Sequence, residues 1–254
     1  MSAGIRFSDV SKTFRKTSAG DERRLLHNFS LTVEPGELIA FVGRSGIGKT
    51  TLLHLAAGFE RPDSGSVETI GAHERTRVGM VFQQPRLLEW RTVWQNIQLA
   101  AAAAGVADDS CREFLAQVQL NGAEGRFPLS LSGGERQRVA LARAFAIQPD
   151  VVLMDEPFSA LDELTGRRLR ELVQELWIRQ KPTGLLITHN PMEAAFLADR
   201  VVVLGGHPCS ISETIEIPVQ RPRKPDDDVL FAYHRRIITA LLSQNANDIK
   251  RFRT

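Results

Sequence analysis

Short apolar runs recur along the chain, each bounded by turn residues. They cover 37–43, 78–82, 150–156, 184–189 and 200–206. Because none of them alternates with polar residues, each predicts a strand that is covered on both faces, as in a parallel sheet.

Helical patterns lie between these runs. Over residues 162–179 the apolar side chains stand three and four positions apart, at Leu169, Leu172, Val173, Leu176 and Trp177. This stripe predicts a helix with one buried face. Since strands and helices alternate, the chain is expected to form an α/β fold with right-handed crossovers.

The two ends of the chain have different patterns. Residues 29–37 alternate between apolar and polar positions, which predicts a half-exposed antiparallel strand in a small β subdomain. Residues 206–225 are rich in proline and basic side chains, and we interpret them as a connector to a last helix at 228–244. The expected organisation is a domain over 1–205 with a helical subdomain inserted at about 86–145, followed by a C-terminal extension over 206–254.

Composition narrows the function classes. A chain of 254 residues has room for one large domain but not for two nucleotide-binding domains in tandem. The formal net charge of +2 gives no indication of a nucleic-acid partner. Cys111 and Cys209 are too few for a disulfide framework and are expected to remain thiols in a reducing cytosol. The sequence lacks a signal-peptide core and any apolar run near the roughly 18 residues of a membrane span.

The segment GRSGIGKT at 43–50 follows an apolar run and precedes a helical pattern that ends at Gly58. This context predicts a phosphate-binding loop, in which glycines let backbone N–H groups point at phosphate oxygens. Lys49 is expected to reach the β- and γ-phosphates, and the Thr50 hydroxyl is expected to bind Mg²⁺. The alternative is a tight turn without a ligand.

A second candidate group ends the run VVLMDE. Asp155 and Glu156 stand at the carboxyl end of a buried strand, where open α/β sheets bind ligands. Asp155 is placed to hold Mg²⁺ through water, and Glu156 is placed to take a proton from an attacking water. Acidic residues at a strand end without any function are the alternative.

The segment LSGGERQR at 131–138 contains two further glycines and precedes a helical pattern. Ser132 and Glu135 have the spacing of a capping box, so this segment by itself predicts no more than the start of a helix. Together with GRSGIGKT, VVLMDE and the SALD segment at 159–162, however, it resembles the ATPase subunit of ABC transporters over nearly the whole chain.

The resemblance implies a P-loop NTPase fold of the ABC-ATPase type, with a mainly parallel core sheet, an N-terminal antiparallel β subdomain and an inserted helical subdomain. It also implies ATP and Mg²⁺ as cofactors, and a head-to-tail homodimer. In that dimer the segment LSGGERQR at 131–138, called the signature segment below, covers the γ-phosphate held by the other subunit.

Individual roles follow from the same resemblance. The implied catalytic residues are Glu156, His189, Gln83 and Lys49, and the implied Mg²⁺ ligands are Thr50, Gln83 and Asp155. ATP contacts are expected at Phe14, Gly43, Arg44, Ser45, Gly46, Ile47, Gly48, Lys49, Thr50 and Thr51, and contacts in trans at Ser132, Gly133, Gly134, Glu135 and Asp162. Alternatives remain for three of these residues. Phe14 could be a core aromatic, Gln83 a strand-end amide, and His189 a surface or core side chain.

The segment PRLLEWRTVWQNI at 85–97 and the tail IEIPVQRPR resemble importers of the nitrate, sulfonate and taurine group. Glu89 replaces the proline usual there, and GGHPCSI departs from the group's usual turn. This resemblance implies that the protein powers the import of a small anionic solute. It also implies that the protein lies at the cytoplasmic face of the inner membrane, and that a permease docks near Gln83 and 85–97. A periplasmic or extracellular solute-binding protein is expected as an indirect partner, and no nucleic acid is expected as a partner. Trp90 and Trp94 are candidates for the permease contact or for packing within the subdomain.

Three other functions stay open at this point. They are an importer of pyrimidines or thiamine precursors, a lipid or lipoprotein exporter, and a soluble ATP-switched interaction protein.

Overall fold

The computed structural model describes residues 2–15, 22–71 and 76–251. The strands are β1 (Gly4–Arg15), β2 (Glu22–Val33), β3 (Leu38–Val42), β4 (Ser64–Ile70), β5 (Val78–Val81), β6 (Val151–Asp155), β7 (Thr183–Ile187), β8 (Arg200–Gly205) and β9 (Ser210–Glu216). The helices are α1 (Lys49–Ala56), α2 (Val93–Ala103), α3 (Asp108–Gln117), α4 (Gly133–Ala146), α5 (Glu163–Gln180), α6 (Pro191–Leu197) and α7 (Asp228–Arg251), with a 3₁₀ turn at Pro128–Ser130.

The core is a six-stranded sheet with the order β5-β6-β7-β3-β8-β9. The first five strands of that order are parallel, as the five apolar runs predict. Alternate residues of β3 point into two separate cores: Leu38, Ala40 and Val42 into one, Ile39 and Phe41 into the other. Such a strand is covered on both faces, which is why its sequence has no polar alternation.

The predicted β subdomain is confirmed as a three-stranded antiparallel sheet in the order β2-β1-β4. Strand β2 begins at Glu22, earlier than the pattern over 29–37 indicated, and its burial alternates along that stretch. Phe7 and Phe29 pack edge to face, with ring centroids 5.9 Å apart. This sheet covers the face of the core sheet on which α1 packs.

The helical subdomain contains α2, α3, the 3₁₀ turn and α4. Its buried side chains, among them Ile97, Leu115 and Phe145, join the hydrophobic cluster on one face of the core sheet. Helix α5 packs on the same cluster through Leu169 and Val173, which confirms the predicted stripe.

The connector predicted over 206–225 is wrong in its first half. Strand β9 lies there and pairs antiparallel with β8, so the core sheet extends past 205. Its alternation is hard to detect, because Ile215 is buried while Ile211 is only half-buried among polar neighbours. The last helix, α7, begins at the predicted residue and runs longer, to Arg251.

Arg223 fastens the chain between β9 and α7. Its guanidinium is fully buried and donates to backbone carbonyl oxygens, and its own backbone N–H donates to Gln174 Oε1 at 2.7 Å. The carbonyl acceptors are those of Val219, Ile217, Ala195, Phe196 and Ala198, at 2.7–3.2 Å. Burial lowers the pKa of Arg223 to about 10. One side chain therefore joins the connector to the carboxyl end of α6.

Both cysteines are buried and neither forms a disulfide, as predicted. Across the described ranges, no helix is both long enough and apolar enough to cross a bilayer.

Candidate nucleotide-binding site

The phosphate-binding loop connects β3 to α1, as the sequence predicts. Gly48 stands at the N-cap of α1 with φ 122°, and a Cβ added there would lie 3.2 Å from Leu25. Glycine is therefore required at this position by both conformation and space. Lys49 is buried, and its ammonium donates to the carbonyl oxygens of Gly43 and Arg44 at 2.7 and 3.0 Å.

Two carboxylates, those of Glu156 and Asp155, lie near the Lys49 ammonium. Burial lowers the pKa of Lys49, while the carboxylates of Glu156 and Asp155 act in the other direction. Burial raises the pKa of Asp155, and a hydrogen bond from the Thr50 side chain partly offsets that effect. A hydroxyl and a carboxylate that already touch are the oxygen ligands that Mg²⁺ prefers beside substrate phosphates, so these two residues fit the predicted cation.

A cavity of about 440 Å³ opens beside the loop. Its lining consists of Phe14, Arg23, Leu25, Ser45, Gly46, Gly48, Lys49, Thr50, Thr51 and Glu156. Phe14 is 40% exposed there, which contradicts its alternative as a core aromatic. Sequence reasoning missed Arg23, whose guanidinium donates to the Gly46 carbonyl at 3.0 Å. Arg23 stands between Glu22 and Arg24 in an exposed part of an antiparallel strand, and this local sequence does not indicate the contact.

Three strand ends bring their candidate side chains together around Glu156. The Gln83 amide nitrogen, just beyond β5, lies 3.4 Å from Glu156 Oε2. His189 Nδ1, just beyond β7, lies 3.3 Å from the same oxygen. Gln83 also donates to Ser159 Oγ at 3.3 Å. The carboxyl edge of the parallel sheet thus collects an acid, an amide and an imidazole next to the phosphate-binding loop.

A partly buried network of hydrogen bonds holds the residues on either side of His189. The Thr188 hydroxyl donates to Glu193, and the Asn190 backbone N–H donates to Thr188 Oγ1 at 3.0 Å. Glu193 also pairs with Arg170 at 3.2 Å, while burial raises the pKa of its carboxyl. Asn190 caps α6, because its side chain accepts from the backbone N–H groups of Met192 and Glu193. The direction of the His189 backbone is therefore set by helix α6.

The signature segment begins α4 with the predicted capping box. Glu135 N–H donates to Ser132 Oγ at 3.2 Å, and Ser132 N–H donates to Glu135 Oε2 at 2.7 Å. The two glycines differ: a Cβ on Gly134 would lie 2.6 Å from Thr165 Cγ2, whereas one on Gly133 would have no described atom within 4 Å. Gly134 is therefore required for packing on α5, and Gly133 leaves an open approach.

This segment lines a second cavity, of about 400 Å³. Its other walls include Asp162, whose side chain accepts from Thr165 N–H at 3.0 Å and caps α5. Among the described residues, the two cavities have no lining residue in common. Within the part of the chain that the structure describes, Ser132 therefore lines a different cavity from the phosphate-binding loop.

One buried side chain, that of Asn96, organises the segment 85–97. Asn96 is buried; its side chain accepts from Leu88 N–H at 2.8 Å and donates to the carbonyls of Leu88, Arg91 and Thr92 at 3.0–3.2 Å. Trp90 is 72% exposed, while Trp94 packs on the core. The two tryptophans therefore differ: Trp94 serves packing, and Trp90 is available at the surface.

Comparison with known proteins identifies the family. The family model for ABC transporters matches residues 26–159. The chain belongs to the ABC transporter family. It is 44% identical to the aliphatic sulfonates import ATP-binding protein SsuB 1 of Rhodococcus jostii over 240 residues, which are 94% of each chain. It is also 44% identical to the corresponding protein of Granulibacter bethesdensis, covering 86% of this chain and 88% of the relative.

Solved structures agree with the family. The chain superposes with a TM-score of 0.73 on a dimeric ATP-binding cassette, MJ0796, in a post-hydrolysis state bound to ADP and Pi. The sequences are 26% identical, and the match covers 85% of this chain and all of that one. The predicted fold, the ATPase activity and the role as the ATP-binding subunit of an ABC importer are confirmed.

Proposed function

We propose that this ABC ATPase powers the import of aliphatic sulfonates, with Glu156 as the general base for ATP hydrolysis. The observation that carries the mechanism is the convergence of Gln83 and His189 on the Glu156 carboxylate, next to Lys49. The sulfonate class is supported by relatives at 44% identity whose names specify it.

The residues of the first cavity divide the work of binding ATP. The loop N–H groups and the Lys49 ammonium bind the phosphates, and the exposed ring of Phe14 stacks on the adenine. Thr50, Asp155 and Gln83 would hold Mg²⁺, which would neutralise charge that develops on the phosphates. Asp155 lies beside Lys49 and Thr50, so the carboxylate and the hydroxyl that would hold the cation stand next to the ammonium that binds phosphate.

Hydrolysis requires a proton acceptor next to the attacking water. Glu156 is suited to this role because its carboxylate lies at the strand end and contacts both an amide and an imidazole. Gln83 orients the water, and His189 contacts the γ-phosphate and holds the Glu156 carboxylate in place.

The active form is a head-to-tail dimer. Within one chain the phosphate loop and the signature segment line separate cavities, and the open approach at Gly133 leaves the start of α4 accessible to another molecule. Ser132, the N–H groups of the first turn and the helix dipole form a second anion site for the γ-phosphate held by the partner. Dimeric cassettes among the structural neighbours support this arrangement.

Mixed dimers test the proposal. Lys49→Ala and Ser132→Arg chains should each be nearly inactive alone. In a mixed dimer one site has both wild-type halves, so mixing should restore ATPase activity. If heterodimers form without any recovery, the head-to-tail arrangement is wrong.

The permease docks on the segment 85–97 at the cytoplasmic face of the membrane, where Trp90 is exposed and Asn96 keeps the loop rigid. Deleting this reading frame should abolish uptake of a radiolabelled alkanesulfonate and leave sulfate uptake intact. Unchanged sulfonate uptake with loss of another solute, such as a thiamine precursor, would refute the sulfonate assignment.

A further inference from the structure

Arg126 contacts the signature segment from the preceding loop. Its Nη1 donates to Glu135 Oε1 at 2.8 Å, and its Nη2 donates to the Ser130 carbonyl oxygen. The other oxygen of Glu135 accepts from Ser132 N–H at 2.7 Å. One carboxylate therefore joins the Arg126 guanidinium to the backbone of the signature serine.

The backbone around Arg126 is joined to the permease-facing side of the subdomain. Val93 N–H donates to the Arg126 carbonyl at 2.9 Å, and Trp94 N–H donates to the Glu124 carbonyl at 3.1 Å. These are first-turn N–H groups of α2, which have no acceptor within their own helix. Helix α2 follows the loop that Asn96 organises, so Arg126 stands between that loop and Ser132.

We propose that Arg126 is a positioning residue that fixes Ser132 for the ATP site of the partner subunit and ties its position to the permease-docking loop. This inference rests on the proposed head-to-tail dimer. Among the residues that the structure describes, Arg126 is not part of the lining of the nucleotide cavity in its own chain.

The geometry of the bridge suits an arginine better than a lysine. A guanidinium donates in two directions at once, here to a carboxylate and to a carbonyl oxygen, whereas an ammonium is a single point of charge. The Ser132 backbone N–H and the Arg126 guanidinium together lower the pKa of the Glu135 carboxyl, so the bridge is charged at neutral pH. Without Arg126 the capping box can persist, but the loop before it loses its fixed orientation.

The first test is the ATPase activity of full-length variants. Arg126→Ala should lower hydrolysis about 10- to 100-fold, as expected when reacting groups are misplaced by about 1 Å. Arg126→Lys should retain an intermediate rate. The matched control is Arg112→Ala, which removes an arginine that lies over the Trp94 ring in the same subdomain, and it should stay near the wild-type rate.

Mixed dimers show in which subunit Arg126 acts. The Arg126→Ala chain keeps its own Lys49, so mixing it with Lys49→Ala chains should recover activity. Mixing it with Ser132→Arg chains should not, because both chains are then defective on the signature side. A folding defect would prevent recovery in both mixtures, and an effect on its own nucleotide site would reverse the pattern.

Either of those last two outcomes overturns the proposal. The pair Lys49→Ala with Ser132→Arg serves as the reference. If the reference pair recovers and the Arg126 pair does not, only the role of Arg126 is refuted. If the reference pair also fails, the head-to-tail dimer and the inference that depends on it are both refuted.

Discussion

The carboxylate of Glu156 lies 3.3 Å from Nδ1 of His189, although 32 intervening residues, among them all of α5, separate the two in the chain. Their strands, β6 and β7, are parallel neighbours, so residues just past each strand end meet at one edge of the sheet. The acid and the imidazole are thus brought together by strand pairing, and changes in either side chain should alter hydrolysis more than folding.

Glu156→Gln should slow hydrolysis by roughly 10²- to 10⁴-fold, because an amide cannot accept the proton from water. ATP binding should persist, so an ATP-bound dimer should accumulate and be visible by size-exclusion chromatography. Glu175→Gln, at an exposed position of α5, is the matched control and should hydrolyse ATP normally. Unchanged turnover in Glu156→Gln would remove Glu156 from the role of base.

The two signature glycines should respond differently to alanine. Gly134→Ala forces a methyl group against Thr165 and should cost about 1–3 kcal/mol of stability, measured by urea unfolding. Gly133→Ala should leave stability equal or slightly higher, since alanine favours a helix, yet its methyl group enters the second cavity. ATPase assays should therefore find Gly133→Ala folded but impaired. Full activity in that variant would mean that nothing approaches the helix start there.

Arg223→Met should lower the free energy of unfolding by about 3 kcal/mol, because several buried carbonyl oxygens lose their donor. Lys224→Met, at the exposed neighbouring position, should change it by no more than about 0.5 kcal/mol. Urea denaturation of both variants measures the difference. Equal midpoints would show that the hydrogen bonds of Arg223 contribute nothing to stability.

Cys209 should make the protein less stable in alkali. Burial raises the pKa of its thiol to about 12, from an ordinary value of 9.0. The unfolded chain therefore releases this proton first, and stability falls as pH rises from about 9 towards 12. Between pH 8 and pH 10 the wild type should lose about 1 kcal/mol more than Cys209→Ala, compared by urea midpoints. An equal loss in both proteins would contradict the raised pKa.

The motif residues could be predicted because each depends on its own neighbours in sequence. The glycines before Lys49, the capping spacing of Ser132 and Glu135, and the apolar run before Asp155 all act over a few positions, where hydrophobic period and turn chemistry are informative. The parallel sheet then follows, since each such run needs cover on both faces.

Arg23, Asn96, Arg126 and Arg223 could not be predicted in the same way. Arg223, for example, binds carbonyl oxygens at the carboxyl end of α6, more than 20 positions away. Because every residue has a carbonyl oxygen, the sequence does not indicate which ones an arginine binds. Strand β9 was missed for a related reason. It lies at the edge of the sheet, where only one side chain in its register, Ile215, is fully buried.

Because the described linings of the two cavities do not overlap, a single chain can carry a lesion in each of them. In the proposed head-to-tail dimer, a chain with both Lys49→Ala and Ser132→Arg would inactivate both sites, whatever its partner. Expressed beside the wild-type copy, such an allele should behave as a dominant negative. The fractional loss of transport should then exceed the fraction of subunits that carry the two substitutions.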